Sequence, residues 1–150
     1  MGIVSQIPAS MILPAMQAAS KKEALKELAA AVHAARPELD TEALYAILQE
    51  REALGSTGIG DAIALPHGKI RGLTEIVACF GRSRQGIPFD ALDGKPAHLF
   101  FLLLAPETAA APYLSALAEL SRFLKNSQTR NRLMQAKGGE ELLAILAEAG

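Results

Sequence analysis

The stretch Arg51–Lys69, REALGSTGIGDAIALPHGK, decides the fold, because helical and extended signals meet inside it. Its first residues continue a helical pattern and place the cation Arg51 in the last turn, where the helix dipole favours positive charge. From Gly55 to Gly60 that pattern collapses into Gly-Ser-Thr-Gly-Ile-Gly, a sequence for turns. A short apolar strand is expected at Ala62–Leu65, ended by Pro66-His67-Gly68.

The N-terminal side reads as two helices. Ser20 and Glu23 form a capping box, in which hydroxyl and carboxylate satisfy free N–H groups. Leu25, Leu28, Ala29 and Val32 then make an apolar face at helical spacing, and Pro37 ends the helix after Ala35. Asp40 caps a second helix to about Glu52, with Leu44, Ile47 and Leu48 inward.

On the C-terminal side, Thr74–Arg82 is a β-prone run containing Val77, Cys79 and Phe80. Gly86 and Asp93-Gly94 mark turns. Leu99–Leu104, continuously apolar between Pro96 and Pro106, fits a central strand buried on both faces. Thr108–Pro112 reads as a loop, and Pro112 opens a helix with Leu114, Leu117, Leu120 and Leu124 on one stripe. Ser127 is expected to cap a short helix through Met134; Gly138-Gly139 breaks it, and Glu140–Ala147 forms the last helix. Helices, then strands, then helices imply one α/β sandwich, a single domain over residues 1–150 with helices on both faces of the sheet.

Bulk properties exclude several classes. Half of the 150 residues are hydrophobic and 21% are charged, an ordinary globular composition. A formal charge of −1 gives no basic footprint for nucleic acid. The single cysteine, Cys79, cannot form an internal disulfide, which points to a reducing cytoplasm. Residues 1–14 lack the features of a signal peptide, and no apolar run reaches the roughly 20 residues that span a bilayer, so the chain is expected not to be membrane-embedded. No Cys/His cluster has metal spacing, no cofactor is expected, and neither a dinucleotide fingerprint nor a nucleotide P-loop is present.

The chemistry gathers in Arg51–Lys69. Phosphoryl transfer is mostly positioning and electrostatic stabilisation of an anion. Glycines around Gly58 let backbone N–H groups approach an anion, Ser56 and Thr57 add hydroxyl donors, and Arg51 offers a planar bidentate donor. His67 supplies a nitrogen nucleophile that is mostly neutral at pH 7. Plainer roles are open for the same residues: Arg51 as a dipole-complementing cation, Ser56 and Thr57 as turn formers, Tyr113 as packing on its helix. His33 and His98 read as edge positions, and Cys79 as a small core residue.

The segment REALGSTGIGDAIALPHGK resembles the signature of the fructose/mannitol/nitrogen-type enzyme IIA family of the bacterial phosphotransferase system. The likeness extends to Phe89–Pro96, to Leu99–Leu104 with Ala105-Pro106, and to Leu114–Leu120, and is greatest to the stand-alone nitrogen-regulatory branch. The resemblance implies a mixed β-sheet between helices. It implies a phosphotransferase that carries a phosphoryl group on His67, taken from a histidine phosphocarrier protein, with Arg51 beside it and Ser56, Thr57 and Gly58 lining the phosphate pocket. In the nitrogen branch the phosphorylation state would control binding of a regulated partner. A sugar-specific enzyme IIA passing phosphate to a permease IIB domain is the alternative, and an unphosphorylated protein-binding module on the same fold is a third. Tyr113 stands where the family commonly has a second histidine, so its hydroxyl would face the phosphate without supplying a cation.

Overall fold

The computed structural model describes residues 2–108 and 110–149. Helix α1 (Lys21–Ala35) starts as expected: the Ser20 hydroxyl accepts the Glu23 N–H at 3.2 Å, and the Glu23 carboxylate accepts the Ala19 N–H at 2.9 Å. Helix α2 (Thr41–Ala53) is capped by Asp40, whose carboxylate accepts the Ala43 N–H at 3.0 Å. Their buried faces carry Leu25, Leu28, Val32, Leu44 and Leu48.

The described residues form six strands, one before α1 and five after α2: β1 (Ile12–Leu13), β2 (Gly58–Gly60), β3 (Ile63–Ala64), β4 (His67–Ile70), β5 (Val77–Ile87) and β6 (Ala97–Pro106). They form one mixed sheet in the order β1-β5-β6-β3-β2, with β4 also paired to β6. Strand β6 is the central apolar run of the sequence, antiparallel to β5 and parallel to both β3 and β4. The short strand expected at Ala62–Leu65 does end ahead of Pro66, as β3, but His67 and Gly68 do not terminate the sheet: they open β4. Proline lacks an N–H and interrupts the ladder for two residues only. The Pro66 carbonyl still accepts the Leu103 N–H at 3.0 Å, and pairing resumes with His67 opposite Leu103.

Adjacent residues on a strand face opposite ways, which shows how the helices are distributed. A Cβ at Gly81 would lie against Met16 and Leu28, so α1 covers that face of β5. The next residue, Arg82, is buried and donates from Nη1 to the carbonyls of Leu133 and Ala136 at 2.8 and 2.5 Å, and from Nε to Pro14 at 3.1 Å. It thereby ties β5 to the end of α4 (Ser127–Gln135) on the opposite face. Helices α3 (Ala110–Lys125) and α5 (Gly139–Ala147) complete the chain. Phe80 and Phe101 stack across β5 and β6 at 4.8 Å between centroids, and Phe123 of α3 closes on Phe101.

Three of the boundaries that differ from the sequence reading have a local cause. Helix α3 already includes Ala110 and Ala111, so the expected Ala-rich loop is shorter and Pro112 sits inside the first turn, where its missing N–H costs nothing; residue 109 of that stretch lies outside the described residues. Asn126, not Ser127, caps α4: its side-chain carbonyl oxygen accepts the Gln128 N–H at 2.8 Å, so the helix begins at Ser127. Strand β5 begins at Val77 rather than Thr74 and runs past the expected turn at Gly86, because the register slips between Arg82 and Ile87. Gly86 permits that bulge with φ +86°, and a Cβ there would meet the His98 ring at 2.9 Å. Gly86→Ala is therefore expected to lower stability by about 1–3 kcal/mol, read as an earlier urea midpoint; an unchanged midpoint would show that the bulge relaxes freely.

Candidate functional site

His67 opens β4 with its ring held from both sides. Its Nδ1 lies 2.8 Å from the Leu65 carbonyl oxygen, and the Arg51 Nε–H donates to its Nε2 at 3.1 Å. A carbonyl only accepts and a guanidinium only donates, so the two bonds fix one tautomer: hydrogen on Nδ1, lone pair on Nε2. Burial holds the His67 pKa below its ordinary value of 6.5, and the nearby Arg51 charge adds to this; the Leu65 carbonyl and Glu52 act the other way. The ring is thus neutral near pH 7.

Arg51 reaches this position because α2 ends beside β4. Gly68 is what allows the approach, since a Cβ there would come within 2.6 Å of the Ile47 side chain on α2. Arg51 Nη1 also donates to the Gly55 carbonyl at 2.9 Å, so the guanidinium spans the last turn of α2 and the ring of His67. Tyr113, in the first turns of α3, stands across the ring at 5.7 Å between centroids, tilted by 52°. Its burial raises the phenol pKa further, with Arg51 partly opposing, so the hydroxyl is a neutral donor at any ordinary pH. Together with Ile47, Glu50, Leu54, Gly68 and Lys69, these three side chains line an open cavity of about 570 Å³.

Ser56, Thr57 and Gly58 are not part of that lining. The Ser56 hydroxyl donates to the Phe89 carbonyl at 2.7 Å and accepts the Gly58 N–H at 3.0 Å. Thr57 is buried, and both its N–H and its hydroxyl donate to the Glu52 carboxylate, the former at 3.1 Å. Lys21 closes the group, with Nζ 2.8 Å from Glu52 and 5.0 Å above the Phe89 ring centre. These groups hold the 55–58 turn from behind.

Glu52 and Lys21 carry no role in the sequence reading. One signal was available: a carboxylate in the last turn of a helix opposes the dipole and calls for a compensating partner. Glu52→Ala removes the acceptor of three donors and leaves the Thr57 N–H and hydroxyl buried and unpaired. It is expected to cost about 2–4 kcal/mol of stability, measured by chemical unfolding. A loss under half a kcal/mol would show that water replaces the carboxylate.

The remaining histidines are bonded away from the cavity: His33 Nδ1 lies 2.7 Å from the Leu39 carbonyl, and His98 Nδ1 2.8 Å from that of Ser83. Among the described residues no three His, Cys, Asp or Glu side chains are grouped to hold a metal ion, and no helix is long and apolar enough to cross a membrane.

A neutral imidazole presented by a mixed α/β sheet, with a guanidinium on its free nitrogen, is an arrangement for accepting an electrophilic group. Residues 5–149 match the family described as the phosphoenolpyruvate-dependent sugar phosphotransferase system, EIIA 2. The chain belongs to that family, whose members are phosphotransfer proteins of the phosphotransferase system. It is 39% identical over 147 residues to a nitrogen regulatory protein of Bradyrhizobium diazoefficiens, covering 98% of this chain and 95% of that one. The crystal structure of nitrogen regulatory protein IIA-Ntr from Neisseria meningitidis superposes with a TM-score of 0.88 at 36% identity, covering 96% and 98% of the two chains. A fructose-specific EIIA component from Haloferax volcanii is 38% identical over 109 residues, or 73% and 71% of the two chains. The expected single α/β sheet flanked by helices is the fold of this family.

Proposed function

We propose that this protein is a cytoplasmic phosphocarrier of the nitrogen-regulatory type, which takes a phosphoryl group from a histidine phosphocarrier protein onto Nε2 of His67. The observation that carries the reading is the pair of bonds on the imidazole, Nδ1 to Leu65 and Nε2 to Arg51. In the step, the Nε2 lone pair forms a bond to phosphorus while the donor's N–P bond breaks and its electrons return to the donor imidazole. Nδ1 keeps its hydrogen, and the positive charge arising on the ring is stabilised by the Leu65 carbonyl. The Arg51 Nε–H, displaced from the lone pair, turns to the phosphoryl oxygens, whose planar arrangement suits a guanidinium. Tyr113 offers a neutral hydroxyl from the opposite wall.

Phosphorylation adds about two negative charges to an exposed cavity rim that also carries Leu54 at 82% exposure. A partner that docks there would read the two states differently, which is how a regulator works. The names of the relatives favour this branch over the sugar-specific one, which the Haloferax volcanii relative keeps as the second reading. Onward transfer from His67 to a permease IIB domain would select that second reading.

The test is intact-mass spectrometry at neutral to alkaline pH after incubation with phosphoenolpyruvate, enzyme I and a histidine phosphocarrier. One phosphoryl group, lost in acid, is expected. No gain, with an active enzyme IIA in the same mixture, would leave a protein-binding module that works unphosphorylated. The lowered His67 pKa makes a further expectation. A depressed pKa means the neutral ring persists in the fold below pH 6.5, so uptake holds on acidification until pH falls through that lower value. The same group contributes stability above about pH 6.5, lost as pH falls through the folded value. A midpoint for ring protonation above 6.5, followed by nitrogen-detected NMR, would contradict the burial argument.

A further inference from the structure

We infer that Lys69 is the second cation of the phosphoryl site, holding the phosphohistidine's oxygens together with Arg51; this rests on the phosphocarrier reading above. Residues two apart on a strand share a face, and the alternation in β4 is visible in burial: Gly68 and Ile70 are buried, whereas His67 and Lys69 face outward. Both line the same cavity. A lysine stem is long enough to bring Nζ over a group attached to the ring two residues back.

Charge then distinguishes Lys69 from its neighbours. Among the described residues lining the cavity, the only cations are Arg51 and Lys69, and Glu50 is the one carboxylate. Without Lys69, Arg51 and Glu50 would cancel, and a dianionic phosphoryl group would arrive in a cavity of no net charge. Arg51 is also partly committed, since Nη1 donates to Gly55. Tyr113 can donate a hydrogen bond but brings no charge. Lys69 Nζ, by contrast, makes no hydrogen bond or ion pair with any described residue, although Glu50 lines the same cavity. An exposed, uncommitted cation beside the nucleophile is what a transient dianion requires.

The experiment uses the full chain phosphorylated on His67 and followed by phosphorus NMR, free of any partner protein. The readout is the titration of the phosphoryl group between its monoanion and dianion. A cation close by favours the dianion, so Lys69→Gln is expected to raise that midpoint by roughly half to one pH unit, while Lys69→Arg keeps it near wild type. The wild-type difference should shrink in molar salt, because the site is open to solvent. A docking role or a purely structural role for Lys69 would leave the titration of the isolated phosphoprotein unmoved. Superimposable curves for wild type and Lys69→Gln overturn the inference alone. A wild-type chain that takes up no phosphoryl group overturns the phosphocarrier reading, and this inference with it.

Discussion

His67→Ala is expected to take up no phosphoryl group under conditions that label the wild-type chain to completion. The substitution removes the nucleophile, and nothing near it can substitute. Among the described residues lining the cavity, Tyr113 carries the one hydroxyl, and its phenol stays protonated because burial raises its pKa. The Ser56 and Thr57 hydroxyls are bonded to the Phe89 carbonyl and the Glu52 carboxylate and lie outside the cavity lining. His33 and His98 are held at other parts of the surface. Intact mass after exhaustive incubation reads the result, and stoichiometric labelling of His67→Ala would remove His67 from its assigned role. The fold should survive, because the ring is only half-buried and the backbone pairing of His67 with Leu103 does not involve the side chain.

Arg51→Ala carries the second largest effect. It deletes the one donor on Nε2 and the charge nearest the reacting nitrogen. Loss of a single preorganised donor from such a site slows the step by about 10²–10³-fold, and this cavity's openness to solvent places the expected value at the lower end. Arg51→Lys should recover little of the rate. A single ammonium cannot donate to the Gly55 carbonyl and to a phosphoryl group in the fixed fork that the guanidinium provides. Quenched-flow measurement of transfer from a phosphorylated carrier distinguishes these cases. If Arg51→Lys transferred at the wild-type rate, the bidentate geometry would be irrelevant and only charge would count.

What was legible in the sequence followed the range of the interactions involved. The caps at Ser20 and Asp40 are set within a turn of chain, and both helices start where those residues place them. The apolar run Leu99–Leu104 announces the central strand because burial on both faces leaves no polar alternation. The existence of β4 was hidden, since Pro66 breaks the ladder locally while the pairing that restores it comes from β6, more than thirty residues downstream. The same distinction separates the site residues. His67 and Arg51 stand out through their own chemistry and come together across sixteen positions. Ser56 and Thr57 have the right chemistry for an anion site, yet the orientation of their hydroxyls is decided by Phe89 and Glu52. Nothing in the turn itself reports where those partners are.

The solitary thiol has a practical consequence for anyone wishing to watch this protein at work. Cys79 is the third residue of β5, fully buried, with its pKa pushed up to about 12 by that burial. The reactive thiolate is therefore scarce and screened from reagents at neutral pH. The native chain is in effect silent to maleimide dyes. A cysteine introduced at Leu92, 84% exposed, would be the sole position to accept a fluorophore, without first stripping the natural thiol from the core.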